Sequence, residues 1–145
     1  MPLFVMGGPG GPARARAAEA NDSSRLLGRL PVAELKADMA ACKALIFPGE
    51  EECGIVPVEV MASGRPVIAL GRGGALDTVI DRQTGLLFEE ASVDGLVAAV
   101  EDFEREGLEH LDPRALVRHA ALHQRQGRHR RLSGGPAIPP NTGRR

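Results

Sequence analysis

Apolar runs of strand length alternate along this chain with segments whose apolar positions recur at helical spacing. The runs Pro2-Leu3-Phe4-Val5-Met6, Ala44-Leu45-Ile46-Phe47, Pro66-Val67-Ile68-Ala69-Leu70 and Gly85-Leu86-Leu87-Phe88 read as short buried strands, and Arg25 to Leu30 as a further strand and turn. Between them lie predicted helices. Val32, Leu35 and Met39 mark one over Pro31 to Ala41, and Leu96, Val97, Val100 and Phe103 share a face of another from Val93 to Glu106. Others are expected to begin near Pro57, to cover Leu76 to Ile80, and to run from Arg114 to Leu122. This βαβα order predicts an α/β fold, a doubly wound (Rossmann-like) parallel sheet with helices on both faces.

Ligands of such sheets bind outside the carboxyl ends of the strands. Two segments with chemistry fall there. Beyond the Ala44 to Phe47 strand come Pro48-Gly49, the acidic triplet Glu50-Glu51-Glu52, Cys53 and Gly54. Pro57 suits the opening of a helix, because its missing N–H would go unpaired there in any case. Glu59 is then expected in the first turn, favoured by the positive end of the helix dipole. Nearby free N–H groups could also receive a phosphate. Gly54 permits close backbone approach to a ligand. Glu51 and Glu59, eight residues apart, could each accept hydrogen bonds from hydroxyls on two parts of one bound molecule. The plainer reading is a surface acidic loop before a helix. Gly73-Gly74, after the Pro66 to Leu70 strand, is either a turn needing positive φ or a wall of the same pocket.

The block from Phe47 to Gly64, then Arg65-Pro66-Val67-Ile68-Ala69-Leu70 and Gly73-Gly74-Ala75-Leu76-Asp77, resembles the donor-binding half of family-four retaining glycosyltransferases of the GT-B fold. That family carries E-x7-E ahead of an alanine-glycine-rich helix and a P-V-I-A strand. The run is most similar to a bacterial mannosyltransferase subgroup with F-P-x-E-E-x-F-G-I-x-P-V-E-x-M-A-x-G-x-P-V-I-A. The resemblance extends from about Pro2 to His123. It implies that Glu51 contacts the donor sugar, that the backbone of Gly54, Ile55 and Val56 faces sugar and pyrophosphate, and that Glu59 holds the ribose. It also implies that the turn Gly28, Arg29, Leu30 lies against the base; an ordinary strand end is the alternative. Cys53 stands where the subgroup has an aromatic residue.

The same resemblance sets the expected reaction: retaining transfer of a hexose from a nucleoside diphosphate to an acceptor hydroxyl in cell-surface glycan synthesis, with GDP-mannose ahead of UDP-glucose as donor and no metal or cofactor. Family members are two-domain enzymes, and this chain corresponds to most of the second domain, beginning after the strand whose loop supplies the pyrophosphate-binding Arg and Lys. The chain alone is therefore expected to be nearly inactive, with no catalytic residue of its own. A separate acceptor domain is an expected partner. The alternatives are a noncatalytic nucleotide-sugar-binding module and a decayed fragment.

Composition narrows this picture. At 145 residues and 43% apolar, with no membrane-length apolar run, the chain suits one cytoplasmic domain, with peripheral placement at the inner membrane face as an option. With four Phe and neither Tyr nor Trp, its core must rest on aliphatic side chains. Cys42 and Cys53 read as reduced thiols. Residues 1–112 hold all 19 acids against ten bases, whereas residues 113–145 hold eight arginines and no acid. The organisation expected is a partial donor-binding domain over 1–122 and a basic, Gly/Pro-rich disordered tail over 123–145. No nucleic acid is expected as a partner, since aromatics for base contact are lacking. His119 and His123 stand four apart on a predicted helix, a spacing open to zinc, but no third ligand accompanies them. The Gly7 to Pro12 loop has neither G-x-G-x-x-G order nor a Gly-Lys-Ser/Thr element.

Overall fold

The structure is a computed structural model that describes residues 3–6, 24–28, 30–50 and 55–132, with only the backbone course for 3–6, 24–28 and 127–132. The Gly7 to Pro12 loop and the Ala13 to Ala20 segment lie outside the described residues. Two units form, Met1–Asp38 and Met39–Arg145. In the first, β1 (Leu3–Met6) and β2 (Ser24–Gly28) pair in parallel, Leu3 opposite Ser24 and Val5 opposite Leu26, with a slip in register before Met6. Helix α1 (Val32–Ala41) follows Leu30 and Pro31.

The second unit is built on three parallel strands in the order β3 (Leu45–Phe47), β4 (Val67–Leu70), β5 (Gly85–Phe88). Their residues align in register, Phe47 with Ala69 and Leu70 with Phe88. Every residue of the central strand is buried, as a strand covered on both faces must be. Ile68 and Leu70 join Leu86, Phe88, Ala99, Phe103 and Leu108 in one core cluster, which seats helix α4 (Val93–Arg105) and a 3-10 turn (Leu108–His110). Helix α2 (Ile55–Ala62) packs against α5 (Pro113–Leu132), with Val60, Met61, Leu116 and Ala120 fully buried. Burial of a side chain such as Met61 or Leu116 contributes about 1.5–3 kcal/mol.

Gly85 opens β5 because nothing larger fits: a Cβ there would stand 1.9 Å from the carbonyl oxygen of Val67. Ser92 caps α4, its hydroxyl accepting from the Gly95 N–H at 3.0 Å. The guanidinium Nε of Arg65 donates to the Ala40 carbonyl at 2.8 Å, satisfying an end-of-helix acceptor of α1. His119 Nε2 on α5 donates to the Thr78 carbonyl at 2.7 Å, joining that helix to α3 (Gly74–Thr78).

Several elements depart from the sequence reading. Helix α3 begins at Gly74 rather than Leu76, which leaves Leu76 58% and Ile80 42% exposed. Val97 is exposed, and the smaller Ala99 takes the core position on α4. Helix α5 does not stop at Leu122 but continues to Leu132. The stretch placed at the start of the tail is rich in Arg and Gln, both good helix formers. Residues 133–145 lie outside the described residues.

Candidate functional site

Parallel pairing places the carboxyl ends of β3, β4 and β5 on one edge of the sheet. Each strand there releases a loop. From β3 the chain passes through exposed Pro48, Gly49 and Glu50 toward α2; from β4 through Gly71, Arg72 and Gly73 to α3; from β5 through Glu89 and Glu90 to α4. The loop after β4 is held by backbone hydrogen bonds. Gly71 N–H donates to Phe88 O at 2.8 Å and Arg72 N–H to Leu70 O at 2.7 Å. Gly73 then takes φ 58° and ψ −141°, a conformation that glycine adopts without a steric penalty. The positive-φ reading of the Gly73-Gly74 turn is thus met at Gly73, while Gly74 is buried as the first residue of α3.

Glu51 and Gly54 lie outside the described residues, as does Arg29. Gly28 ends β2, and Leu30 is half-buried ahead of α1; both belong to the first unit. Ile55, Val56 and Glu59 are all on α2, whose start lies two residues earlier than Pro57 led us to expect. Pro57 is therefore the third helical residue. It is still tolerated, because the first four N–H groups of a helix have no partner within it. Glu59 is moved by the same shift. It stands in the second turn, and the first turn of α2 contains no acid, so the helix dipole, which falls off within one turn, favours its charge less than expected.

Glu59 remains exposed while its neighbours Val58 and Val60 are buried. With Ile55 and Ala62, four before and three after, it forms the open stripe of α2. Its backbone is pinned from below: the Glu59 carbonyl accepts from both the N–H and the hydroxyl of Ser63, each at 3.2 Å. The carboxylate itself has no partner among the described residues, so it is available to a hydroxyl-bearing ligand. Val56 is half-buried and Ile55 is 49% exposed at the opening of the helix.

The sequence reading passed over Arg72. It lies in the β4 loop with an exposed side chain, which makes no hydrogen bond or ion pair among the described residues. Its signal was an arginine lodged between glycines directly after a buried strand. Elsewhere, the His119 and His123 rings meet edge to face with centroids 4.6 Å apart. Burial, then the neighbouring His119, holds the His123 imidazole below its ordinary range, with Asp77 opposing. Among the described residues no group of three or more His, Cys, Asp or Glu side chains gathers into a metal-binding cluster, and no helix is long and apolar enough to cross a membrane.

Over residues 3–120 the sequence matches the family described as glycosyl transferases group 1. Glycogen synthase of Thermus thermophilus is 35% identical over 119 residues, which are 79% of this chain and 27% of that protein. The alpha-1,3/1,6-mannosyltransferase ALG2 of Dictyostelium discoideum is 51% identical over 47 residues, 32% of this chain and 11% of that protein. Among solved structures, sucrose-phosphate synthase from Thermosynechococcus elongatus superposes with a TM-score of 0.73 at 24% identity, across 90% of this chain and 38% of the other. The Anabaena protein Alr3699/HepE, in complex with UDP and glucose, gives 0.66 at 20% identity, across 91% and 40%. The chain therefore spans well under half the length of these proteins.

Proposed function

The chain belongs to the glycosyl transferases group 1 family, and from that premise we propose that it forms the nucleotide-sugar donor-binding domain of a retaining hexosyltransferase. The observation that carries the reading is Glu59. It is an exposed carboxylate without a partner among the described residues, on the helix entered from the carboxyl end of β3, with its backbone locked by Ser63. A carboxylate so placed suits the paired hydroxyls of a ribose, accepting from both. Glu51, eight residues earlier in the chain, would read sugar hydroxyls, and the backbone at Gly54, Ile55 and Val56 would face the sugar and diphosphate. Gly73 and Gly74 would shape the pocket wall.

GDP-mannose stands ahead of UDP-glucose as donor. The 51% identity to ALG2 falls within 47 residues of the chain, which supports the mannosyltransferase subgroup; the UDP and glucose bound in HepE support a hexose donor more generally. In the complete enzyme the acceptor hydroxyl would attack the sugar on the face the diphosphate leaves, with no metal required, and cations and amides would stabilise the departing diphosphate. Transfer itself is proposed for the whole enzyme, and this chain, which spans 27% of a relative such as glycogen synthase, is proposed as its donor-binding part.

Calorimetric titration with GDP-mannose, GDP and UDP-glucose tests the site. Saturable binding is expected, and Glu59→Gln should weaken it about tenfold, the scale of losing a charged hydrogen-bond acceptor. A folded Glu59→Gln chain that binds as tightly as the parent would remove Glu59 from the site.

A further inference from the structure

We infer that Arg72 is a binding residue for the diphosphate of the nucleotide donor, an inference that rests on the donor-site reading above. Three loops leave the carboxyl edge of the β3-β4-β5 sheet. Among their described residues, 48–50, 71–73 and 89–92, the charged side chains are Glu50, Glu89, Glu90 and Arg72. Among those described residues, a diphosphate brought to that edge meets three carboxylates and a single guanidinium. Like charges disfavour its approach, and Arg72 supplies the opposite sign.

The side chain is uncommitted and its base is fixed. Arg82 and Arg105, by contrast, each hold carboxylates, whereas the Arg72 guanidinium has no ion pair or hydrogen bond among the described residues. Its own N–H is tied to Leu70 O, and the residues on either side are held by the Gly71 hydrogen bond to Phe88 O and by the Leu76 N–H donating to Gly73 O at 3.2 Å. With the backbone already pinned, binding has only the side chain left to order. Its planar fork matches two phosphate oxygens at once, which a single ammonium cannot do. The rest of the donor, a sugar, a ribose and a base, carries no comparable anion, so the diphosphate is the part of the ligand that Arg72 selects. The β4 loop is also the middle one of the three, where a ligand lying across the edge must pass.

The test is a calorimetric titration of the full chain and of Arg72→Gln with GDP, GMP and guanosine, and with UDP, UMP and uridine. Arg72→Gln is expected to weaken the diphosphate about tenfold or more, the monophosphate less, and the nucleoside not at all. Diphosphate binding by the parent should also fall more steeply with added salt than binding by Arg72→Gln. Equal weakening of diphosphate, monophosphate and nucleoside would show a structural role and overturn the inference. So would unchanged diphosphate affinity in Arg72→Gln while the parent binds GDP or UDP, an outcome that leaves the donor-site reading standing. A parent chain that binds neither diphosphate overturns both.

Discussion

The two ends of the β3-β4-β5 sheet spend their polar groups differently. At the amino end, in the turn before β5, the charges are bound up within the fold. Arg82 reaches across to Glu106, Nε to Oε2 at 2.9 Å, and also pairs with Asp81. Asp81 in turn accepts the Leu87 N–H at 2.9 Å. Thr84, nearly buried, takes the Ile80 N–H on its hydroxyl at 2.8 Å. Glu106 first, and then Asp81, hold the Arg82 guanidinium still more firmly in its charged form, and Arg82 keeps a left-handed backbone, φ 60°, that few side chains adopt. At the carboxyl end, the Glu90 carboxylate accepts from the Ser92 hydroxyl at 2.7 Å, but the side chains of Glu50, Arg72 and Glu89 have no such partners among the described residues. One edge is built to close the domain, and the other leaves most of its charges for something outside the fold.

Substitutions at the two ends should therefore separate stability from binding. The largest effect is expected from Gly85→Ala, whose methyl would stand within 1.9 Å of the Val67 carbonyl of the central strand. A backbone ladder cannot yield by that amount, so a loss of about 3 kcal/mol or more is expected in urea denaturation. Near-parental stability would show that the amino edge is softer than its register implies. Thr84→Val comes next. It keeps the shape and removes the acceptor of the Ile80 N–H, so about 1–3 kcal/mol should go, with nucleotide affinity unchanged once the chain is folded. By contrast Arg72→Gln and Glu59→Gln should leave the urea midpoint within about 0.5 kcal/mol of the parent, as exposed positions do. A large stability loss in either would erase the contrast between the edges.

The smallest effect is a pH dependence on α5. The folded chain holds the His123 pKa below the ordinary 6.5, so the unfolded chain binds the proton first as the pH falls. Stability is thus full above about pH 6.5 and declines below it, levelling once the folded form also protonates. His119, Asp77 and the Thr78 carbonyl are the groups that face this pair. His123→Asn should flatten the slope of thermal midpoint against pH between about 5 and 7, while leaving behaviour at higher pH intact.

Strands were the easiest elements to read in the sequence. Val67 to Leu70 and Gly85 to Phe88 are short apolar runs bounded by Pro or Gly, and each formed a strand within one residue of its expected limits. Helix starts were harder. Pro57 looked like a first residue, but the third position is equally free of an internal hydrogen bond, and only the packing of Pro57, Val58, Val60 and Met61 against the core decides between them. The end of α5 was misplaced because a loss of apolar residues was read as a loss of structure, whereas Arg and Gln sustain a helix without a core face. The site was legible as a motif, Glu51 to Glu59, but not in its charges. Arg82 is held by its neighbour Asp81 and also by Glu106, 24 residues away, and no local pattern carries that second, distant pairing.

The order β3-β4-β5 also bears on how this edge can change over time. Neighbouring strands lie about 4.8 Å apart, so three strand ends span about 10 Å and the β4 loop occupies the centre of a narrow ledge. The outer loops can lengthen outward into solvent. The middle one has a neighbour on each side and only Gly71, Arg72 and Gly73 between strand and helix. Insertions should therefore accumulate after β3 and β5 and be purged after Leu70, where a lengthened chain would cover the ledge itself.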